Sequence, residues 1–70
     1  MTKRDFPGWL KNEMDKRHWT TTKMAAESYI AEASIRKYIK GKGFPSMEVL
    51  FDILDALGYE MEFVEKEGER

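Results

Sequence analysis

Residues 20–58 decide the fold of this 70-residue chain, and they read TTTKMAAESYIAEASIRKYIKGKGFPSMEVLFDILDALG. Apolar residues recur in this segment at helical spacing, and hydroxyl residues and glycines separate them. Hydroxyl side chains are typical of helix N-caps, and glycines are typical of helix C-termini. The segment therefore predicts short helices over residues 23–28, 31–40 and 47–57.

The helix predicted at 31–40 has one buried side and one charged side. Ile35, Tyr38 and Ile39 recur at i, i+3 and i+4, which is the spacing of a single helix face. Gly41 follows where a left-handed residue is expected to end the helix. The opposite face is mostly cationic. It carries Glu32, Ala33, Arg36, Lys37 and Lys40.

The helix predicted at 47–57 begins after Ser46 as its N-cap and ends before Gly58. Its acidic residues fall on one narrow stripe, and the rest of its surface is apolar. A chain of this size has too little interior to cover so broad an apolar surface. We therefore expect a second chain to bury part of this helix.

Upstream of this segment, Pro7 lies near the start of a further helix, with Asp5 as its N-cap and an end near His18-Trp19. Leu10 and Met14 mark the apolar side of this helix. Its opposite, solvent-facing side is predicted to carry Asn12, Glu13, Lys16 and Arg17.

Downstream, residues 59–65 alternate apolar and acidic side chains, and this alternation predicts a β-strand. No other segment resembles a partner strand, so we expect antiparallel pairing with the same strand of a second copy. The chain thus divides into a helical bundle over 1–58, a dimerisation strand over 59–65 and a frayed tail over 66–70. The side chains expected at the dimer contact are Phe51, Leu54, Tyr59, Met61 and Phe63.

The formal net charge of −1 conceals an uneven distribution. Residues 1–43 contain ten basic and five acidic side chains, a balance of +5, whereas residues 44–70 contain two and eight, a balance of −6. The two halves therefore predict one face for an anionic partner and another face for a different contact.

The composition argues against several classes of protein. A hydrophobic fraction of 41% gives the chain enough apolar residues for a core, so it is not a disordered segment. With no cysteine and one histidine, a structural zinc site is not expected, and the lack of cysteine suits the cytoplasm. No apolar stretch approaches the ~20 residues of a membrane span. Without a nucleophile–base pair, a metal-ligand set or a phosphate-binding glycine loop, we expect neither an enzyme nor a cofactor.

The elements of residues 20–58, taken in order, resemble the Cro/lambda-repressor-like (Xre-type) helix-turn-helix family of bacterial and phage regulators. The matching positions are Met24-Ala25 in the second helix, Ile30 after the turn, Ile35 in the third helix, Lys40-Gly41-Lys42 at its end, and Pro45-Ser46 and Ala56-Leu57-Gly58 around the fourth. The chain departs from the family pattern at Thr21, Tyr29 and Ile39, where Gln, Gly and Glu are common. The resemblance implies an all-α fold of four to five short helices with a helix-turn-helix at 20–40, to which the C-terminal β-strand is added.

Members of this family place the third helix in the major groove of DNA. The resemblance implies that Ala31, Glu32 and Ala33 reach base edges, with Lys37 one turn later. Ala33 would touch a thymine methyl group and Glu32 would accept from a cytosine amine. Lys37 would donate to guanine.

Phosphates are expected to bind at two places. Arg36, Lys40 and Lys42 would set position and affinity without reading sequence. At the start of the second helix, free N–H groups and the positive end of the helix dipole would attract a phosphate, with Thr20 and Thr21 contributing. The same threonines serve equally well as a helix cap, and both roles stay open.

These features predict sequence-specific binding of double-stranded DNA by a homodimer, acting as a transcriptional repressor or an antitoxin-type autoregulator. Two third helices related by a two-fold axis would enter successive major grooves of a palindromic operator, about 34 Å apart. The alternative is a protein-interaction module of the same fold, which binds a toxin or a phage protein without DNA. The overall acidity favours this alternative, and the basic third helix opposes it.

Overall fold

Four helices make up the described part of the chain, which is residues 2–65 of a computed structural model. They are α1 (Phe6–Lys16), α2 (Thr21–Ser28), α3 (Glu32–Ile39) and α4 (Met47–Leu57). The predicted all-α bundle is therefore confirmed, and the bounds predicted for α4 agree with the structure. None of these helices is long and apolar enough to cross a membrane.

Hydroxyl caps begin α2 and α4, as the sequence predicts. Thr20 Oγ1 accepts a hydrogen bond from the Lys23 amide at 3.1 Å, and Ser46 Oγ accepts one from the Val49 amide at 3.3 Å. The cap at Thr20 starts α2 two residues earlier than predicted. Gly58 ends α4 in the left-handed region, with φ 86°. These ends depend on residues that are close in the sequence, which is why they are predictable.

α1 starts where predicted, whereas its end at Lys16 comes earlier than predicted. Asp5 is the N-cap residue, but its side chain makes no capping hydrogen bond. The Asp5 carboxylate accepts instead from the amide and the hydroxyl of Thr2, at 3.0 and 3.2 Å. At the other end, His18 is left-handed with φ 59°, and the Trp19 amide donates to Met14 O at 2.9 Å. This turn ends the helix before Trp19 and packs the Trp19 side chain against the core.

The core contains side chains from all four helices. α3 packs mainly on α1 and α2, whereas α4 packs mainly on α2. Tyr38 is partly buried against this core, as its spacing predicts, and so are Trp9 and Trp19. Burial of each large apolar side chain contributes about 1.5–3 kcal/mol to folding. The buried apolar side chains are Phe6, Leu10, Met14, Met24, Ile35, Ile53 and Leu57.

The turn between α2 and α3 is built around Tyr29. Its backbone is left-handed, with φ 60° and ψ 33°, and the residue is 96% exposed. The Ile30 amide donates to Ala25 O at 3.2 Å, and the Ile30 side chain packs against the core. A tyrosine with strained backbone and no packing thus occupies the turn position that suits glycine.

The β-strand predicted for residues 59–65 does not form, and no strand occurs in residues 2–65. A strand needs a neighbour for its N–H and C=O groups, and the described part of the chain offers none. Tyr59 packs on the bundle instead, with its ring centre 5.9 Å from that of Trp9. The tail that is predicted to fray, residues 66–70, lies outside the described residues.

Glu13 is buried, contrary to its predicted place on the solvent side of α1. Its carboxylate accepts hydrogen bonds from Arg17 and Tyr59 at 2.8 Å each and from Lys16 at 3.1 Å. Arg17 also donates to Leu57 O at 2.8 Å. Burial alone raises the pKa of Glu13, but the bonds from Arg17, Tyr59 and Lys16 outweigh it and hold the pKa below its usual value. This network joins the end of α1 to the end of α4.

Candidate nucleic-acid interface

The exposed face of α3 carries the side chains that the spacing predicts. Ala33, Arg36, Lys37 and Lys40 are all exposed, and they recur at i, i+3, i+4 and i+7. Ile35 lies on the other side of the helix and is completely buried. α3 therefore presents one continuous row to the solvent, with a small apolar side chain near its start and cations along the rest.

Glu32, at the start of α3, is held by the start of α2. The hydroxyls of Thr21 and Thr22 donate to Glu32 Oε2 at 2.8 and 3.0 Å. Arg36 Nη1 lies 2.9 Å from the same oxygen. Hydrogen bonds from Thr21 and Thr22, together with the charge of Arg36, lower the pKa of Glu32. The carboxylate is therefore ionised and fixed in position, with its contacts converging on Oε2.

The threonines at the start of α2 divide their roles in the structure. Thr20 caps the helix, whereas the Thr21 hydroxyl is used by Glu32. A phosphate contact at this helix start stays a prediction. Ala31 is the N-cap residue of α3 and is exposed, so Ala31 and Ala33 leave two methyl groups accessible near the start of the helix.

The cations of α1 and α2 are engaged in ion pairs, whereas those around the end of α3 are not. The pairs are Lys11 with Asp15, Lys16 and Arg17 with Glu13, Lys23 with Glu27, and Arg36 with Glu32. Within residues 2–65, the cations that form no ion pair, here called the unpaired cations, are Lys3, Arg4, Lys37, Lys40 and Lys42. The surplus positive charge of the first half of the chain is therefore concentrated on these five side chains.

The sequence pattern does not point to Lys3 and Arg4 as site residues. Both lie on the turn ahead of α1, and both line a groove with Lys42 and Phe44 from the loop between α3 and α4. In a sequence, a Lys-Arg pair ahead of a helix is expected on the protein surface and does not by itself indicate a binding site. Only the fold brings this pair beside a cation that follows α3.

A separate groove of about 400 Å³ contains most of the side chains predicted for the dimer contact. Its lining is Phe51, Leu54, Tyr59 and Met61 together with Asp52, Asp55 and Glu60. Phe63 does not line this groove, but it is 75% exposed. The groove is thus lined by apolar and acidic side chains together, and the dimer contact itself stays a prediction.

A family model described as helix-turn-helix matches residues 10–64. The matched region contains most of α1 and all of the other three helices, so it includes the exposed row of α3. Lys3 and Arg4 lie outside it. No curated protein and no solved structure matches the chain.

Proposed function

This chain belongs to the helix-turn-helix family, and we propose that it is a transcription regulator that binds duplex DNA through α3. The observation that supports this most strongly is the exposed row of α3, where Lys37 and Lys40 form no ion pair within the described residues. A helix with such a row fits the major groove, which is about 12 Å wide. The family is one of DNA-binding regulators and not, in general, of enzymes.

Base contacts would come from the first turns of α3. Ala31 and Ala33 would meet thymine methyl groups, because their side chains are small and exposed. Glu32 has its Oε2 engaged by the threonines and Arg36, so its Oε1 would accept from a cytosine amine. Lys37, one turn later, would donate to guanine.

Phosphate contacts would set the position of α3 in the groove. Arg36 can bind Glu32 and a phosphate together, since a guanidinium has five N–H donors. Lys40 and Lys42 carry no competing ion pair in residues 2–65. The residues assigned to phosphates are Thr20, Thr21, Arg36, Lys40 and Lys42.

We further propose that the protein acts as a homodimer on a palindromic operator. The exposed fractions of Met47, Phe51 and Phe63 are 55%, 42% and 75%, so one chain leaves much apolar surface uncovered. Its burial in a dimer would add stability that a small domain lacks. Packing of these side chains, and not β-pairing of residues 59–65, would form the contact. The two α3 helices would then lie about 34 Å apart.

The dimer would regulate by steric exclusion. Bound across an operator that overlaps a promoter, it would prevent RNA polymerase from binding and thus repress transcription. In an antitoxin-type autoregulator, the operator would control the gene of the protein itself. The cytoplasm, which holds the DNA, would be the place of action.

Selection of bound duplexes from a random pool tests this proposal, with sedimentation of the free protein in parallel. The expected motif has two inverted half-sites with centres about 10–10.5 base pairs apart. A pool that yields no motif would contradict sequence-specific binding. A motif of one half-site, bound by a protein that sediments as a monomer, would contradict the dimer alone.

The acidic groove supports a second candidate, a protein-interaction module that binds a toxin or a phage protein. Asp52, Asp55 and Glu60 line this groove beside apolar side chains, and such a surface suits a basic partner. The two candidate functions predict different duplex affinities for the double variant Lys37→Ala/Lys40→Ala. A regulator should lose most of its affinity in this variant, whereas an interaction module should bind duplex equally weakly with and without the two lysines.

A further inference from the structure

We propose that Lys3 and Arg4, together with Lys42, form a second phosphate-binding site that holds the DNA backbone beside the α3 contact. The inference rests on the proposed function, because it adds residues to the same DNA-binding surface. The site lies between the turn ahead of α1 and the loop that joins α3 to α4.

The site is a groove of about 510 Å³ between two segments that are distant in the sequence. One wall contains Lys3, Arg4 and Pro7, and the other wall is the loop from Gly41 to Phe44. The walls approach closely at one end, because a Cβ atom built on Gly41 would lie 3.6 Å from Pro7 Cγ. The fold of the bundle therefore holds the two cationic segments at a fixed separation.

Lys3 stands on an ordered turn and faces an aromatic ring. The Asp5 amide donates to Thr2 O at 3.0 Å, which closes the turn. Lys3 Nζ lies 5.8 Å from the ring centre of Phe44, and the Phe44 ring packs edge-on against Phe6 at 5.1 Å. This cation–π contact positions the ammonium without cancelling its charge.

The groove has the charge that a phosphate group requires. Three cations line it, and its lining contains no acidic side chain among the described residues. Asp5 is the carboxylate closest in the sequence, and its oxygen is used by the amide and the hydroxyl of Thr2. A phosphate in the groove would therefore meet cations that no carboxylate of residues 2–65 pairs with.

The groove also continues the cationic row of α3. A Cβ atom built on Gly43 would lie 3.1 Å from Lys37 Cδ, so the Lys37 side chain runs along the loop that forms one wall. The Lys42 amide donates to Lys37 O at 3.0 Å, which fixes the loop to the end of α3. The unpaired cations thus extend from α3 across the loop to Arg4. Such an extended set fits a polyanion such as the duplex backbone better than it fits one small anion.

A salt titration of duplex binding tests the assignment. Lys3→Gln/Arg4→Gln is compared with Lys11→Gln/Lys16→Gln, which loses the same charge from cations that are already ion-paired. Binding of a labelled duplex of mixed sequence is followed by fluorescence anisotropy. The loss of two phosphate contacts should make the negative slope of log affinity against log salt shallower by about 1.8. Between about 50 and about 200 mM salt, the wild-type affinity should then fall about 12-fold more than that of the variant.

The controls separate a local site from net charge. The slope should fall in Lys3→Gln/Arg4→Gln and stay at its wild-type value in Lys11→Gln/Lys16→Gln and in Lys3→Arg/Arg4→Lys, which keeps both charges. An unchanged slope in the first variant, or an equal fall in the ion-paired control, would overturn the proposal. If the first variant does not fold, Arg4→Gln alone should lower the slope by about 0.9. If the proposed function itself is wrong, the wild-type protein will not bind duplex, and this result is distinguishable from a wrong assignment of the second site.

Inorganic phosphate distinguishes a backbone site from a site for a free anion. The amide signals of Gly41 and Gly43 in an NMR titration report on the groove. Shifts caused by the duplex, but not by inorganic phosphate at the same ionic strength, would support a backbone contact. Saturable shifts with inorganic phosphate, together with an unchanged salt slope in Lys3→Gln/Arg4→Gln, would overturn it.

Discussion

The Tyr59 hydroxyl donates to Glu13 Oε1 at 2.8 Å, and Tyr59→Phe removes this bond while keeping the ring that packs on Trp9. A hydrogen bond to a charged group contributes about 1.5–3 kcal/mol. Tyr59 is 41% exposed, so water competes and we expect a loss near the lower value, about 1.5 kcal/mol. For a domain of this size, that loss lowers the melting temperature by about 6–12 °C.

Glu13→Gln completes a double-mutant cycle with Tyr59→Phe. The glutamine removes the negative charge that faces Arg17, whose side chain is 26% exposed. We expect a loss of about 2 kcal/mol, below the 3–5 kcal/mol of a fully buried pair, because Arg17 still reaches water and still binds Leu57 O. Glutamine keeps an oxygen that can accept from Tyr59 but makes this acceptor neutral, so both changes weaken the same contact. The double variant should therefore lose about 1 kcal/mol less than the sum of the single losses. Urea unfolding of the four proteins measures each free energy.

The pH dependence gives an independent measurement of the same network. The pKa of Glu13 lies below its usual value, so the native protein binds fewer protons at this group than the unfolded chain. Its stabilising effect is therefore complete above the usual glutamate pKa of about 4.3 and is lost as the pH falls through the lower native pKa. Glu13→Gln should consequently lose less stability on acidification than the wild-type protein.

Two results would refute this reasoning about the Glu13 network. One is a Tyr59→Phe variant as stable as the wild type, and the other is additive losses in the cycle. Tyr38→Phe is the matched control, because the Tyr38 side chain is half-buried and its hydroxyl makes no hydrogen bond with residues 2–65. A similar loss in Tyr38→Phe would mean that the effect does not come from the bond to Glu13.

Lys37→Ala should relax the base preference found by duplex selection, whereas Lys42→Ala should weaken binding to every sequence and lower the salt slope by about 1. Identical behaviour of the two would contradict their assignment. Because Gly41 has φ 72°, Gly41→Ala should lower the free energy of unfolding by about 1 kcal/mol. Gly8→Ala within α1 should instead raise it by about 0.5–1 kcal/mol, since nothing lies near the added methyl group. Equal shifts of the two variants in thermal melts would count against the left-handed turn. Tyr29→Gly should raise the free energy of unfolding by up to about 1 kcal/mol, because the left-handed backbone of Tyr29 is strained and its exposed ring packs on nothing. The melting temperature should then rise slightly, and a lower melting temperature would disprove the strain.

The parts of the fold that depend on near neighbours could be predicted from the sequence. Ser46 and Gly58 bound α4 through bonds and backbone angles within a few positions of themselves, and Ile35 is buried because of its helical spacing. Glu13 could not be placed in this way. Its main partners include Tyr59, 46 positions away, and a helical period alone assigns a glutamate to the solvent. The alternation of residues 59–65 is likewise local, but a strand requires a distant partner.

The candidate site shows the same division. The exposed row from Ala33 to Lys40 follows from spacing on one helix. The contact of Thr21 with Glu32 depends on how α2 and α3 are oriented, which no local pattern specifies. The grouping of Lys3 with Lys42 depends on where α1 begins relative to the loop after α3. Residues that act from a single helix were therefore predictable, and residues that act across elements were not.

A net charge of −1 does not oppose DNA binding once the ion pairs are known. At physiological salt the field of an exposed charge is screened within about 8 Å, whereas the molecule is 43 Å along its longest axis. A phosphate on α3 therefore responds to the charges close to it, which are the unpaired cations. Asp52 and Asp55 lie on α4, which packs mainly against α2, and they line a different groove together with Glu60, which follows that helix. The other basic side chains of residues 2–43 are all in ion pairs, so the charge that a phosphate on α3 would meet is local, and it is positive.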